Sequence, residues 1–263
     1  SVTKINNYIY GQYVVFVGDS YTDGAVPATR PYDWPAWVAT HLRLDAINVA
    51  KGSSGVVKDV NNLQQHVNNF VQQVTAAANQ LDSEVERSKV KNVVVYGGVN
   101  DVGYTSQANV TAAVVNLMLE IETYFPTAKV DVFCINAMNH NITANADYNT
   151  YISYMKAWED GIKQSHTHVN VAFHNDAMDW LCAGDLYQSD NVHPSADGCK
   201  QIGLNILNGI HGVKEHTICY VSTQNESGII GGLANSAVVD GLLNMFSDEF
   251  QFINNDAEIA TGK

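Results

Sequence analysis

Short apolar runs alternate with longer amphipathic stretches along roughly the first four fifths of the chain. Runs of β-branched and aromatic residues predict buried strands, and apolar residues that recur at helical spacing predict helices. The apolar runs predict five strands, at residues 13–17, 46–50, 91–96, 130–135 and 169–173. The amphipathic stretches predict five helices, at about residues 34–44, 62–85, 107–124, 148–164 and 196–210.

The alternation of strands and helices predicts the fold class. Apolar strands separated by helices are typical of a parallel sheet that is covered by helices on both faces. We therefore predict an α/β fold, a three-layer α/β/α sandwich around a five-stranded parallel sheet. Ligands of such sheets bind outside the carboxyl ends of the strands. The segments that follow Val17, Ala50, Tyr96 and Phe173 should therefore lie along one edge.

The pattern changes after about residue 211. Residues 216–222 alternate between polar and apolar like a half-exposed strand, and residues 228–232 and 250–253 are further strand candidates. We therefore predict one α/β domain over residues 1–211. Residues 212–263 are predicted to form a short β-rich C-terminal extension or a truncated accessory domain.

Composition and charge narrow the range of functions. The chain is 46% apolar and 16% charged, which is typical of a globular protein. Its formal net charge of −13 would repel phosphate backbones, so we expect no nucleic-acid partner. No apolar run approaches the roughly 20 residues that span a bilayer, and the first residues do not resemble a signal peptide. We expect neither a transmembrane segment nor a leader in this chain.

The cysteines give no metal motif. Cys134, Cys182, Cys199 and Cys219 show no C-x-x-C spacing, and no cluster of His and Asp has the spacing of metal ligands. We therefore expect neither a metal nor a cofactor. A disulfide between Cys182 and Cys199 would fix the segment around His193, but four free thiols are the alternative that we favour.

Three polar segments stand next to predicted strands or helices. Gly18-Asp19-Ser20-Tyr21 follows the first strand, Gly97-Gly98-Val99-Asn100-Asp101 follows the third, and Asp190-Asn191-Val192-His193-Pro194 precedes the last helix. Each segment alone has the composition of an ordinary turn. Their order and placement together predict a catalytic site.

Ser20, Asp190 and His193 have the chemistry of a nucleophilic triad. A serine hydroxyl is a weak nucleophile unless a base takes its proton during attack. Histidine suits this role because its unperturbed pKa is about 6.5. Asp190 precedes His193 by three residues, so it can accept from the imidazole ring and fix its tautomer.

These segments resemble the GDSL esterase, or SGNH hydrolase, superfamily over about residues 12 to 211. The first block matches at Gly18-Asp19-Ser20, the third at Gly98-Val99-Asn100-Asp101, and the last at Asp190 and His193. The resemblance implies a flavodoxin-like SGNH hydrolase fold for residues 1–211. It also implies an oxyanion hole that includes the Ser20 backbone N–H and the Asn100 side chain, whereas Asp19 and Asp101 are expected to hold turns.

The second block of the family fits less closely. It falls on residues 48–55, where one alignment puts Ser53 at the position of the usual glycine and a shifted alignment puts Gly55 there. The role requires only a backbone N–H, so either residue can fill it. The sequence leaves both as candidates for the third oxyanion donor.

The resemblance implies a hydrolase of small esters. The polar and aromatic loops, and the absence of an apolar lid-like segment, favour removal of short acyl groups such as acetyl from a carbohydrate. A lipase or thioesterase, a non-catalytic glycan-binding module and, least favoured, a metal-dependent deacetylase are the alternatives. Four aromatic residues are candidates for a sugar-binding wall or for core positions: Tyr21, Tyr32, Trp34 and Trp37.

Location and partners are expectations from the same resemblance. The β-rich tail is similar to accessory elements of cell-surface and phage-tail members of the superfamily. We therefore expect an extracellular, cell-surface or virion-associated protein that acts on an acyl ester or acylated glycan. Oligomers or larger assemblies would form through the C-terminal region.

Overall fold

The computed structural model describes residues 11–23, 31–62, 65–67, 69–136, 146–181 and 184–212. The predicted C-terminal extension, Cys182 and Cys219 lie outside these ranges, so the domain boundary near residue 211 stays a prediction. In the described part, no helix combines the length and apolar character needed to cross a membrane.

The central sheet has five parallel strands. The strands within the described residues are β1 (Tyr13–Gly18), β2 (Asp45–Asn48), β3 (Val60–Asn62), β4 (Gln65–Val67), β5 (Val90–Gly97), β6 (Lys129–Cys134) and β7 (Asn170–His174). The sheet order is β2-β1-β5-β6-β7, and every neighbouring pair is parallel. This is the flavodoxin-like order of a doubly wound sheet, so the predicted fold class is confirmed.

Helices cover both faces of the sheet. They are α1 (Trp34–Leu42), α2 (Phe70–Ala78), α3 (Glu84–Arg87), α4 (Gln107–Tyr124), α5 (Ala146–Ser165) and α6 (Ala196–Ile210). Val15 and Val17 of β1 face the core under α2, α4 and α5, whereas Val14 and Phe16 face α1 and α6. Both sets are fully buried, as expected for strands whose successive side chains point to opposite faces.

Capping side chains fix where the helices beside the site begin. Asp33 caps α1 by accepting from the Ala36 N–H at 3.2 Å, and Ser195 caps α6 by accepting from the Gly198 N–H at 3.1 Å. The Ser195 hydroxyl also donates to the Asp185 carbonyl at 2.9 Å. The start of α6 is therefore held two residues after His193.

The predicted helix at residues 62–85 is wrong. Strands β3 and β4 pair antiparallel there, α2 begins only at Phe70, and α3 is separate. Asn69 and Gln72 form a capping box, in which each side chain accepts from the backbone N–H of the other, at 3.1 and 3.0 Å. The apolar spacing continues across this box, so periodicity alone did not show the break.

Candidate active site

The turn after β1 presents Ser20. The Asp19 carboxylate accepts from the Tyr21 N–H at 3.0 Å, and the Asp19 carbonyl accepts from the amides of Thr22 and Asp23 at 3.0 and 2.8 Å. These bonds fold the chain sharply at the carboxyl end of β1. Ser20 lies at the tip of the turn and is half-buried, whereas Asp19 is fully buried beneath it.

Ser20, His193 and Asp190 lie in one line of contacts. The Ser20 Oγ is 3.1 Å from the His193 Nε2, and the His193 Nδ1 is 2.7 Å from the Asp190 Oδ2. When the ring proton is on Nδ1, it is donated to Asp190 and Nε2 can accept from the serine hydroxyl. The structure therefore brings the three predicted catalytic residues together, although 173 positions separate the two hydrogen-bonding residues Ser20 and His193.

The Asp190–His193 loop is held from several directions. The Asp190 Oδ1 accepts from the backbone amides of Val192 and His193 at 2.9 and 3.0 Å. The Gln188 N–H donates to the His193 carbonyl at 2.8 Å, and the Tyr21 hydroxyl donates to the Val192 carbonyl. Tyr21 therefore links the nucleophile turn to the histidine loop, a role that its position after Ser20 did not indicate.

The Asp190 carboxylate is suited to stay ionised. Although its partial burial acts in the opposite direction, the bonds from the His193 ring and from the two backbone amides lower the pKa of Asp190 to about 2. A negative charge beside Nδ1 stabilises the imidazolium that forms when histidine takes a proton.

The loop after β2 approaches Ser20 from the other side. The Gly52 N–H donates to the Asp23 carboxylate at 2.8 Å, and a Cβ at Gly52 would lie 3.8 Å from the Ser20 Cβ. Sequence reasoning missed Asp23. It follows the nucleophile by three residues, and its acidic side chain beside the motif was the available signal.

The geometry distinguishes the two candidates for the second-block donor. The Gly55 N–H donates to the Lys58 carbonyl at 3.0 Å, so this group is already used within its own loop. Ser53 is exposed, has a left-handed backbone with φ of 65°, and donates its N–H to no group of the described residues. The arrangement therefore favours Ser53 over Gly55.

Gly55 has a packing role instead. A Cβ there would lie 2.4 Å from both carboxylate oxygens of Asp101. The buried Asp101 carboxylate accepts from the backbone amides of Val56, Lys58 and Val57 at 2.7, 2.9 and 3.1 Å. Asp101 thus holds the loop after β2 in addition to its own turn.

Asn100 is attached to the same loop. Its Nδ2 donates to the Ser54 carbonyl at 2.9 Å. An amide NH₂ has two hydrogens, so the second remains to point toward a reacting oxygen. Ser20, Ser53 and Asn100 therefore stay the predicted donors of an oxyanion hole.

Burial affects the ionisation of two aspartates near the site, Asp19 beneath Ser20 and Asp101. Burial raises the pKa of Asp19 to about 7, against the opposing hydrogen bond from the Tyr21 N–H to its carboxylate. Burial likewise raises the pKa of Asp101, although the amides of Lys58, Val56 and Val57 act in the opposite direction.

The aromatic residues after Ser20 belong mainly to the core. Trp34 is fully buried, donates its Nε1–H to the Tyr21 carbonyl at 2.8 Å and meets Phe16 edge to face. Trp37 contacts α6 near Gly203. These contacts favour the core alternative over a sugar-binding wall for both tryptophans.

The described cysteines leave the disulfide question as predicted. Cys134 is a buried free thiol and Cys199 is buried, whereas Cys182 and Cys219 lie outside the described residues. Within the described ranges, no group of three or more His, Cys, Asp or Glu side chains could hold a metal ion.

A protein-family model matches most of the chain. A family model described as the GDSL-like Lipase/Acylhydrolase family matches residues 16–201, which is more than half of the chain. The match includes Ser20, Asn100, Asp190 and His193. No curated protein matches the chain.

Solved structures share the fold at low sequence identity. A carbohydrate esterase family 2 enzyme with a carbohydrate-binding domain, from Corynascus thermopiles (Myceliophthora fergusii), is 18% identical with a TM-score of 0.55, and covers 76% of this chain and 66% of its own. A carbohydrate esterase of the same family from Cellvibrio japonicus is 12% identical with a TM-score of 0.52, over 77% and 61%. A protein from Slackia heliotrinireducens described as an SGNH hydrolase is 16% identical with a TM-score of 0.51, over 76% and 99%.

Proposed function

Because the chain belongs to the GDSL-like lipase/acylhydrolase family, we propose that it is a serine esterase with Ser20 as its nucleophile. One observation carries the proposal, namely the line of contacts from the Ser20 Oγ through the His193 ring to the Asp190 carboxylate. The two distances, 3.1 and 2.7 Å, lie within hydrogen-bond reach for a nucleophile, its base and the group that orients the base.

The reaction proceeds through an acyl-enzyme. The Ser20 Oγ attacks the ester carbonyl carbon while its proton passes to the His193 Nε2. The bond from that carbon to the alcohol oxygen then breaks, and the alcohol leaves with the proton from His193. Water repeats the sequence, giving its proton to His193, forming the acid and releasing the Ser20 Oγ, which recovers the proton.

The tetrahedral oxygen formed in each step is bound by three donors. These are the backbone N–H groups of Ser20 and Ser53 and the second hydrogen of the Asn100 amide. The amides of Ser20 and Ser53 donate to no group of the described residues, and the Asn100 amide is held by the Ser54 carbonyl. Donors that are fixed before reaction stabilise developing charge without reorganisation.

The proposed substrates are short acyl esters, acetyl esters in particular, on a carbohydrate. The carbohydrate esterases that share the fold support this class of substrate, and so do the polar loops around the motifs. An extracellular, cell-surface or virion-associated location, and assembly through residues 212–263, belong to the same proposal.

A lipase or thioesterase is the second candidate function. The family description, which includes lipases and acylhydrolases, favours it. Comparing hydrolysis of p-nitrophenyl acetate and octanoate separates the two, because a short-acyl enzyme should cleave the acetate faster. Faster cleavage of the octanoate would contradict the short-acyl proposal.

Turnover of p-nitrophenyl acetate by the wild type and by Ser20→Ala tests the proposal itself. The expected result is turnover by the wild type and a loss of about a thousandfold or more in Ser20→Ala. Equal rates in the two proteins, or no activity on any ester while glycan binding is retained, would favour a non-catalytic module.

A further inference from the structure

Gln73 of α2 joins the nucleophile turn that follows β1 to the loop that follows β2. The side chain is fully buried and reaches the carboxyl end of β1. Its Oε1 accepts from the Gly18 N–H at 2.9 Å, and its Nε2 donates to the Gly18 carbonyl at 3.0 Å. The Nε2 also donates to the Ser54 Oγ at 2.9 Å.

These contacts settle which way the amide points. The Gly18 N–H is a donor, so it requires the oxygen of the Gln73 amide, and the nitrogen must then face the carbonyl and the hydroxyl. The pairing of β1 with β2 ends at Phe16 and Asn48. Beyond it, the Lys51 N–H donates to the Gly18 carbonyl at 3.1 Å, and the Ser54 Oγ lies 3.2 Å from the same oxygen. Gln73 adds to this junction and also binds the Gly18 N–H.

Ser54 connects Gln73 to the loop that follows β2 (residues 49–55), the oxyanion loop. It is fully buried, and its hydroxyl donates to the Lys51 carbonyl at 2.6 Å while accepting from Gln73. The Ser54 carbonyl accepts from Asn100. Ser54 therefore links Gln73 to one proposed oxyanion donor, and its neighbour Ser53 supplies another.

We propose that Gln73 is a positioning residue that, together with the direct bonds between them, fixes the nucleophile turn relative to the oxyanion loop. The inference rests on the proposed function. One rigid amide holds Gly18, two residues before Ser20, and Ser54, one residue after Ser53. Gln73 touches neither substrate nor reacting atoms, and it acts by keeping the donors where the tetrahedral oxygen forms.

Gln73→Met tests this role. Methionine has similar length and apolar volume but makes none of the three bonds. We expect kcat on p-nitrophenyl acetate to fall about ten- to a hundredfold with KM within about twofold, because misplaced donors weaken transition-state binding. Thr75→Val is the matched control, because it removes a 2.6 Å hydrogen bond from α2 to Glu120, away from the site. An unchanged kcat in Gln73→Met would overturn the proposal.

A double-mutant cycle with Asn100→Ala separates positioning from general stability. If Gln73 acts through the oxyanion hole, Gln73→Met should cost less in the Asn100→Ala background than in the wild type. Equal losses in the two backgrounds would overturn the proposal. If Gln73→Met does not fold, Ser54→Ala, which removes one arm of the connection, is tested in the same cycle and is judged by the same two outcomes.

Backbone NMR tests the placement without any activity. In Gln73→Met, the amide resonances of Gly18 and Ser53 should both shift, whereas in Thr75→Val they should not. A shift of Gly18 without Ser53 would overturn the link between the loops. If the wild type hydrolyses no ester, the proposed function fails while this measurement still decides the role of Gln73 in the fold.

Discussion

At the scale of single residues, Asn100 is the side-chain donor whose role can be tested most cleanly. Asn100→Ala should lower kcat by about a hundredfold or more, because removing one oxyanion donor typically costs about 3–4 kcal/mol. Steady-state kinetics on p-nitrophenyl acetate measures the loss. Asn109→Ala removes an exposed amide that bonds to Thr105, and this control should leave kcat unchanged. Equal kcat in Asn100→Ala and the wild type would contradict the assignment.

Asp190 predicts a pH dependence of stability. Its pKa in the folded protein is about 2, below the ordinary value of 3.8. As pH falls, the unfolded chain is protonated first, so the stabilisation by ionised Asp190 is present above about pH 4 and is lost toward pH 2. The difference in unfolding free energy between the wild type and Asp190→Asn, measured with urea from pH 6 to pH 2, should shrink over that range. A difference that stays constant would contradict the lowered pKa.

The reacting residues could be predicted from the sequence, but the residues that hold them in place could not. Ser20, Asp190 and His193 stand in short motifs, so their chemistry can be recognised locally. Gln73 bonds to Gly18 across 55 positions of the chain, so no local pattern marks it. Asp23 stands beside the nucleophile motif, but its partner Gly52 lies 29 positions away. The choice between Ser53 and Gly55 likewise depended on where each N–H points, which only the folded loop shows.

At the scale of elements, helix starts were predictable where a cap and a periodic pattern coincide. The helix α6 matches its predicted range of residues 196–210, and Ser195 caps it. The predicted helix at 62–85 failed because its apolar spacing continues through Asn69, whose capping box begins a new helix. The Asn69 capping box therefore marks the start of a new helix, which the apolar periodicity alone does not reveal.

The Asn69 cap gives a prediction at this scale. Asn69→Ala removes one of the two side chains that form the capping box, so it should lower the unfolding free energy by about 1 kcal/mol. Urea unfolding measures the change. Gln80→Ala, at an exposed position just after α2, is the control and should change stability by less than about 0.5 kcal/mol. Equal stability of Asn69→Ala and the wild type would contradict a stabilising cap.

At the scale of the whole molecule, the sheet order explains how distant segments form one site. The strand β1 lies inside the sheet between β2 and β5, so the turns that follow all three strands meet at one edge. The last helix then brings the Asp190–His193 loop to the same edge. Alternating apolar runs were sufficient to predict this architecture, because parallel strands buried on both faces leave a clear sequence pattern.

The proposed mechanism depends on Ser20 being an activated nucleophile in this assembled site. Labelling with a fluorophosphonate probe, followed by peptide mapping, tests it most directly, since the probe reacts covalently with activated serines. We expect a single label on Ser20 in the wild type, none in Ser20→Ala, and much slower labelling in His193→Ala. An unlabelled wild type, or equal labelling of wild type and Ser20→Ala, would contradict it.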